Sequence, residues 1–152
     1  MNVMVRYGVA FAAGLLDAAT TYWLITPSPP MRLYYLTNSP RFNGSQALGA
    51  CASGYHMASL WEVHEPSNLR YATKLGATRA DAGLGPAEGV AGWVRFGGVA
   101  QSTATGGTCD AWTTGAEANW GTAAYLVPQN GGGWVLEPYR CSTTFPVWCV
   151  QD

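Results

Sequence analysis

Apolar residues occur along this chain in short runs, and turn-forming residues separate the runs. Residues 31–37 carry the aromatic and aliphatic content of a β-strand. The apolar positions of 45–52 recur with helical spacing, which predicts a short helix. Residues 55–61 form a further short apolar segment. These features place one strand and one helix near the start of the main domain.

A second helix is predicted to begin at Pro66, because proline is favoured at the first helical position. Leu69, Ala72 and Leu75 fall on one face of that helix, and Gly76 closes it. This interpretation gives the domain two short helices in its first half.

The second half of the chain alternates short apolar pieces with long loops rich in glycine, serine and threonine. The expected strands are residues 92–97, 123–127, 134–136 and 147–150. The expected loops are 78–91 and 98–108, with a hairpin tip at 129–133. The prediction is an α+β fold with two short helices, short antiparallel strands and long loops.

The N-terminal residues 1–30 differ from the rest of the chain. A ten-residue apolar run at 7–16 is followed by Asp17 and two alanines, which is the layout of a secretory signal. Apolar character then resumes before the proline-rich linker 26–30. Residues 1–30 are therefore either a signal peptide or a retained assembly segment, and residues 31–152 are the main domain.

Charge is scarce in this sequence of 152 residues, which is long enough for one domain. Only 11% of the residues are charged, and the net charge is −1. Such a chain lacks the basic surface that nucleic acids and anionic lipids require. No nucleic-acid partner is expected. The 48% of hydrophobic residues are enough for a core.

The chain has four cysteines, Cys51, Cys109, Cys141 and Cys149, with no C-x-x-C pair among them. Their wide spacing favours two disulfides and an oxidising compartment over a zinc site. Four cysteines allow three connectivities, and the spacing does not choose among them. Four buried free thiols are the alternative.

No motif for catalysis or metal binding stands out. The two histidines, His56 and His64, do not form H-E-x-x-H, and His56 is expected to be a packed residue. Glu62 and Glu65 are expected to be solvated charges, because nothing suggests the facing geometry of a glycosidase pair. The sequence also lacks G-x-S-x-G. No catalytic residue, metal site or cofactor is therefore predicted.

The tryptophans fall into two groups. Those in apolar segments are expected in the core: Trp61, Trp93, Trp134 and Trp148. Trp112 and Trp120 lie in the polar stretch 109–121, where an aromatic ring beside amides and hydroxyls suits a sugar or a protein ligand. The alternative is that these two rings fill a second small core under the long loop.

Three sequence motifs together resemble the C-type lectin-like domains. Y-H-M-A-S-L-W-E at 55–62 resembles their G-G-H-L-A-S-I stretch, and G-W-V-R-F-G at 92–97 resembles their W-I-G-L strand. Gly133-Trp134 and the segment 141–149 resemble their G-x-W … C-x₇-C ending. The resemblance covers residues 31–152. The W-C-V-Q-D ending is also similar to that of bacterial secreted domains of this kind.

The resemblance implies a nested disulfide pattern, Cys51 with Cys149 and Cys109 with Cys141. The chain departs from the sugar-binding members of the family, whose calcium ligands include an Asn-Asp pair directly after the tryptophan that corresponds to Trp134. Val135 and Leu136 stand at those positions. Since calcium takes six to eight oxygen ligands, the expected domain is calcium-independent.

The expected function is that of a non-enzymatic, extracellular or cell-surface domain that binds a protein or glycan through its long loops. The candidate ligand-binding residues are Trp112, Asn119, Trp120 and Tyr139. The alternative is an extracellular structural subunit that self-associates, filament-like, through residues 1–30. A third and weaker hypothesis is an enzyme related to the formylglycine-generating variant of the fold. That variant is much longer and needs reactive cysteines.

Overall fold

The computed structural model describes residues 30–39, 41–78, 85–97, 107–127 and 133–152. The chain divides after Pro30 into two units, and the described residues belong almost entirely to the second, Met31–Asp152. The hypotheses about the N-terminal segment concern residues outside the described part. Most of the predicted hairpin tip 129–133 and of the loop 98–108 also lies outside it.

The first sheet has four strands in the order β2-β7-β1-β3. Its strands are β1 (Arg32–Leu36), β2 (Tyr55–Met57), β3 (Leu69–Tyr71) and β7 (Trp148–Gln151). The last strand, β7, runs antiparallel to both β1 and β2, whereas β3 pairs with β1 in parallel. The two ends of the domain therefore meet in the middle of one sheet.

The second sheet is antiparallel, in the order β4-β5-β6. It consists of β4 (Gly92–Trp93) and a long hairpin formed by β5 (Trp120–Val127) and β6 (Gly133–Arg140). A bridge from Trp93 to Val147 links β4 to the segment that leads into β7, and the Trp93 N–H donates to Pro146 O at 2.9 Å. The strands expected at 123–127, 134–136 and 147–150 are confirmed, but β5 and β6 are longer than expected, and the strand expected at 92–97 is reduced to β4.

The first predicted helix is a 3₁₀ helix, Gly44–Gly49, and is shorter than expected. The second predicted helix was wrong. The α-helix α1 (Leu60–His64) begins earlier, since Ser59 and Glu62 form a reciprocal capping box. A 3₁₀ turn, Pro66–Asn68, follows α1. Residues 69–71 then join β1 as the strand β3, so pairing with the sheet overrides their helical spacing.

A single turn, Cys109–Trp112, has left-handed backbone geometry, with φ between 49° and 64° at all four residues. This conformation costs roughly 1–2 kcal/mol per non-glycine residue. The turn is held by the Trp112 N–H bonded to Thr108 O and by the disulfide at Cys109. It packs against Gly44, where a Cβ would run into the sulfur of Cys109.

The core is built around two fully buried tryptophans, Trp93 and Trp148, as the sequence predicts. The ring of Trp134 is partly buried and meets Trp148 edge-on, with 4.8 Å between centroids. Trp61, in contrast, is 73% exposed, so its assignment to the core was wrong. The buried face of α1 is formed by Leu60 and Val63, and Trp61 lies on the outside.

Both disulfides have the pairing that the resemblance implies, Cys51–Cys149 and Cys109–Cys141. No cysteine is free, so the thiol alternative was wrong. Closing a loop over a sequence separation of 98 residues is worth about 4.7 kcal/mol in the chain-entropy description, and a separation of 32 about 3.7 kcal/mol. The two bonds thus stabilise a domain in which every helix of the described residues is short.

The α+β prediction is confirmed in its coarse form: few short helices, sheets with antiparallel strands, and two disulfides. Among the described residues, no helix is long and apolar enough to cross a membrane.

Candidate functional site

Trp112, one of the four predicted ligand-binding residues, lies in the core. Its side chain is 5% exposed and meets Trp93 edge-on, with 5.6 Å between ring centroids. The ring is positioned by the left-handed turn, which folds it under the second sheet. Trp112 is therefore a core residue of the described structure, as in the core-filling alternative.

Trp120 opens β5 and lies directly across from Arg140 on β6. The Arg140 guanidinium stands over its indole, 3.9 Å from the ring centroid, in a cation–π contact. Arg140 also donates to the carbonyl of Glu117 at 3.2 Å. Asn119 precedes the strand, and its carbonyl accepts the N–H of Cys141 at 2.9 Å. Both predicted residues are half-buried.

Tyr139 pairs with Gly121 and therefore lies on the opposite face of the hairpin from Trp120. Its hydroxyl donates to Glu137, which also accepts from Tyr125 at 2.8 Å. The hydrogen bond to Glu137 raises the pKa of Tyr139 to about 12, and the two phenols lower the pKa of Glu137. The Tyr139 ring packs on Phe145, with 4.7 Å between centroids.

The four predicted ligand-binding residues thus do not share one surface. Trp112 is in the core, while Trp120 and Tyr139 point to opposite faces of the β5–β6 hairpin. Trp120 and Tyr139 are separated because side chains alternate between the two faces along β5 and β6.

In β6, apolar residues occupy the two positions at which the sugar-binding members have calcium ligands. Leu136 packs against the core around Trp148, and Val135 pairs with Tyr125. In the part of the chain that the structure describes, no three His, Cys, Asp or Glu side chains come together in a way that could hold a metal ion.

A surface that the sequence analysis missed surrounds Trp61. Trp61 is 73% exposed and Phe96 is 41% exposed, and we call these two residues the aromatic patch. The Trp61 Nε1 lies 3.5 Å from the point that a Cβ on Gly97 would occupy, so α1 adjoins the segment after β4. The Leu60 N–H donates to Arg95 O at 2.7 Å and fixes this junction.

Residues next in the chain to both members of the aromatic patch belong to a cluster of polar groups centred on Glu62, which we call the Glu62 cluster. Its other members are Arg32, His56, Ser59 and Arg95. Glu62 accepts hydrogen bonds from Arg32 Nη1 at 3.1 Å and from the Ser59 N–H and Oγ at 2.9 and 2.7 Å. His56 Nε2 lies 3.0 Å from the same carboxylate, and Arg95 Nη2 lies 3.9 Å away.

The chemistry of Glu62 follows from these partners. Partial burial alone would raise the pKa of Glu62. The hydrogen bonds from Ser59 and His56 and the charge of His56 have the larger effect, and together they lower this pKa to about 2. Glu62 is therefore an ionised anchor over the ordinary pH range. The expectation of a solvated charge was wrong for this residue.

His56 connects the same cluster to the end of the chain. Its Nδ1 lies 2.7 Å from a carboxylate oxygen of Asp152. His56 is half-buried and lies between two carboxylates, so the expectation of a packed residue in an apolar segment was wrong. The strand β2, the helix α1 and the C-terminus are joined through this one imidazole.

The Glu62 cluster fixes the start of α1 and so holds the exposed indole of Trp61 in one position. An exposed and fixed indole is suited to binding. The S-x-x-E pattern of Ser59 and Glu62 is a capping box, and it was the available signal for this site. A helix starting at Leu60 would have buried Leu60 and Val63 and turned Trp61 outward.

No family model, no curated protein and no solved structure matches this chain.

Proposed function

We propose that residues 31–152 form a secreted or surface-displayed C-type-lectin-like domain that binds a protein or glycan without calcium and without catalysis. The motifs quoted above support this proposal, as do the α+β arrangement and the nested disulfides. Leu136, packed in the core where the sugar-binding members have a calcium ligand, supports calcium independence. Two disulfides are typical of oxidising compartments.

The aromatic patch is the observation that carries the binding proposal. A tryptophan exposed to 73% is unusual for so large an apolar side chain. Tryptophan is also the side chain most enriched in binding hot spots. Phe96 lies just before the predicted loop 98–108, so the patch adjoins the start of a loop that was expected to contact the ligand.

The experiment compares wild-type protein with Trp61→Ala on a glycan array and in a pull-down of extracellular proteins from the same source. We expect Trp61→Ala to weaken the strongest ligand at least about tenfold, as loss of a hot-spot residue does. Its unfolding midpoint should change little, because the ring is exposed. Binding should be equal in millimolar calcium and in EDTA.

The matched control is Leu48→Ala, which removes another exposed apolar side chain, 49% exposed, from a different element. This variant should bind as the wild type does. A Trp61→Ala variant that keeps full affinity for every ligand found would overturn the assignment of the site. Binding that requires calcium would contradict the proposed class.

The alternative function is a structural subunit that assembles through residues 1–30. It is favoured by the apolar sequence of this segment and by the division of the chain after Pro30. The enzyme hypothesis is disfavoured, since all four cysteines are in disulfides and none is left as a reactive thiol.

A further inference from the structure

An open groove of about 620 Å³ lies beside β3, away from the residues of the aromatic patch. Its apolar lining includes Leu33, Tyr71 and Leu75, and the last of these is 43% exposed. Two cations, Arg70 and Lys74, also line it, and none of the described residues that line it is acidic. The groove is therefore apolar and positively charged, in a chain whose net charge is −1.

The two cations differ from Arg32, Arg95 and Arg140, which have partners within the domain. Arg32 and Arg95 contact Glu62, and Arg140 stands over Trp120. Arg70 and Lys74 are exposed, and within the described residues neither makes an ion pair or a side-chain hydrogen bond. Their charges are not compensated there, which leaves them available to an anionic partner.

The backbone beside the groove favours an extended peptide as that partner. β3 is the edge of its sheet and pairs with β1 alone among the described strands. The Ala72 N–H bonds to Tyr34 O. The backbone groups of every second residue of a strand point to the same neighbouring strand. Since the Ala72 N–H points to β1, the backbone N–H and C=O of Tyr71 point away from β1. An added peptide strand can use such an edge, as in β-augmentation.

We propose that this groove binds an extended peptide segment that alternates acidic and apolar residues. The carboxylates on one face of the added strand pair with Arg70 and Lys74, the apolar side chains on its other face pack beside Tyr71, and the main chain bonds the outer edge of β3. Two cations are too few for stable attachment to an anionic membrane, where each contributes about 1 kcal/mol. This surface is separate from the aromatic patch and would serve a second ligand.

The test uses the full chain and a labelled synthetic octapeptide, acetyl-ELEVELEV-amide, with acetyl-KLKVKLKV-amide as the charge-reversed probe. Fluorescence anisotropy measures affinity, and hydrogen–deuterium exchange with mass spectrometry locates the site. We expect the acidic peptide alone to bind and to slow amide exchange around Leu33 and in residues 69–75. Its affinity should fall with added salt, because ionic contacts are screened.

Charge reversals then assign the contacts. Arg70→Glu and Lys74→Glu should each weaken the acidic peptide about two- to fivefold, and the double variant about tenfold or more. Arg41→Glu makes the same charge change at an exposed position outside the groove and should have no effect. Trp61→Ala should also bind the peptide normally, which separates this proposal from the proposed function.

The proposal is overturned if Arg70→Glu and Lys74→Glu, shown by their unfolding midpoints to be folded, bind the acidic peptide like the wild type. It is also overturned if both peptides fail to bind at millimolar concentration. Binding of vesicles with 30 mol% phosphatidylglycerol, reduced by the same reversals and without peptide binding, would assign the groove to lipid instead.

Discussion

Glu62 combines two tasks in one side chain. It caps α1 through Ser59, and it holds Arg32 and His56 from two different strands. The helix has only five residues, so it is too short to be stable by itself. The position of Trp61 therefore depends on the Glu62 cluster more than on helix propensity.

Replacing Glu62 by Gln should lower stability at pH 7 by about 1–2 kcal/mol, since hydrogen bonds to a charged acceptor are lost. In the folded protein the pKa of Glu62 is about 2, against an ordinary value of 4.5. The contribution of its charge is thus complete above pH 4.5 and is lost as the pH falls towards 2. Urea unfolding of wild type and variant between pH 7 and pH 2 measures this directly, and the difference should shrink below pH 4.5.

Glu117→Gln, at an exposed position, provides the control for the same change of charge. It should cost less than about 0.5 kcal/mol at every pH. A stability difference between wild type and Glu62→Gln that stays constant from pH 7 to pH 2 would contradict the role of the carboxylate charge.

At the residue scale, the sequence predicted the burial of side chains well where a single local pattern determines it. Trp93 and Trp148 are fully buried, as expected from their apolar strands. Trp61 was assigned wrongly because its apolar neighbours were interpreted without the capping box. The burial of Trp112 could not be predicted for a different reason, since it depends on a left-handed turn that no local sequence pattern indicates.

At the element scale, strands were predicted better than helices. Short apolar pieces between turns are typical of strands, and β5, β6 and β7 lie where the pattern places them. The helical spacing of residues 69–75 was misleading, because three residues of it pair with β1. The β5–β6 hairpin is longer than predicted. Its additional residues, Trp120–Thr122 and Glu137–Arg140, include polar and small side chains, so the sequence pattern does not indicate that they pair with each other.

The short strand β4 depends on a glycine for its position. A Cβ on Gly92 would run into Leu36 and would lie 2.9 Å from the indole Nε1 of Trp148. Gly92→Ala should therefore destabilise the protein by about 1–3 kcal/mol, the usual cost of overpacking a core. The midpoint of urea unfolding measures the effect.

Gly133→Ala is the matched control, because it makes the same change in β6 at a position with open space around it. We expect its midpoint to equal or slightly exceed that of the wild type. If Gly92→Ala proves as stable as Gly133→Ala, β4 is not packed against Trp148 as described.

At the scale of the whole molecule, the coarse fold class could be predicted, but the spatial order of the strands could not. Composition and spacing indicated an α+β domain with two disulfides. The placement of β7 between β1 and β2 arises from contacts over more than 90 residues, which short-range patterns do not encode. The pairing of Cys51 with Cys149 came from the resemblance and not from the spacing.

The last prediction concerns the assembly of the whole chain. Both described core clusters and both disulfides are formed by residues of 31–152, so we expect this part to fold without residues 1–30. If the N-terminal segment stays on the mature chain, its larger apolar side chains each forgo about 1.5–3 kcal/mol of burial when they face water. Asp17, within the apolar stretch, disfavours a membrane span. We therefore expect the segment to be buried against a neighbouring copy of the chain. Such a head-to-tail contact produces a filament when it does not close into a ring.

Deletion of residues 1–30 should therefore give a folded monomer, while the full chain forms large assemblies, as measured by size-exclusion chromatography with light scattering. A full-length variant with Phe11, Leu15 and Leu16 replaced by serine provides the matched control, and it should also be monomeric. If the deleted form still assembles, the contact lies within 31–152. If N-terminal sequencing of the native protein starts near residue 20, the segment is a signal peptide and the assembly hypothesis fails, because the apolar run that needs burial is then absent from the mature chain.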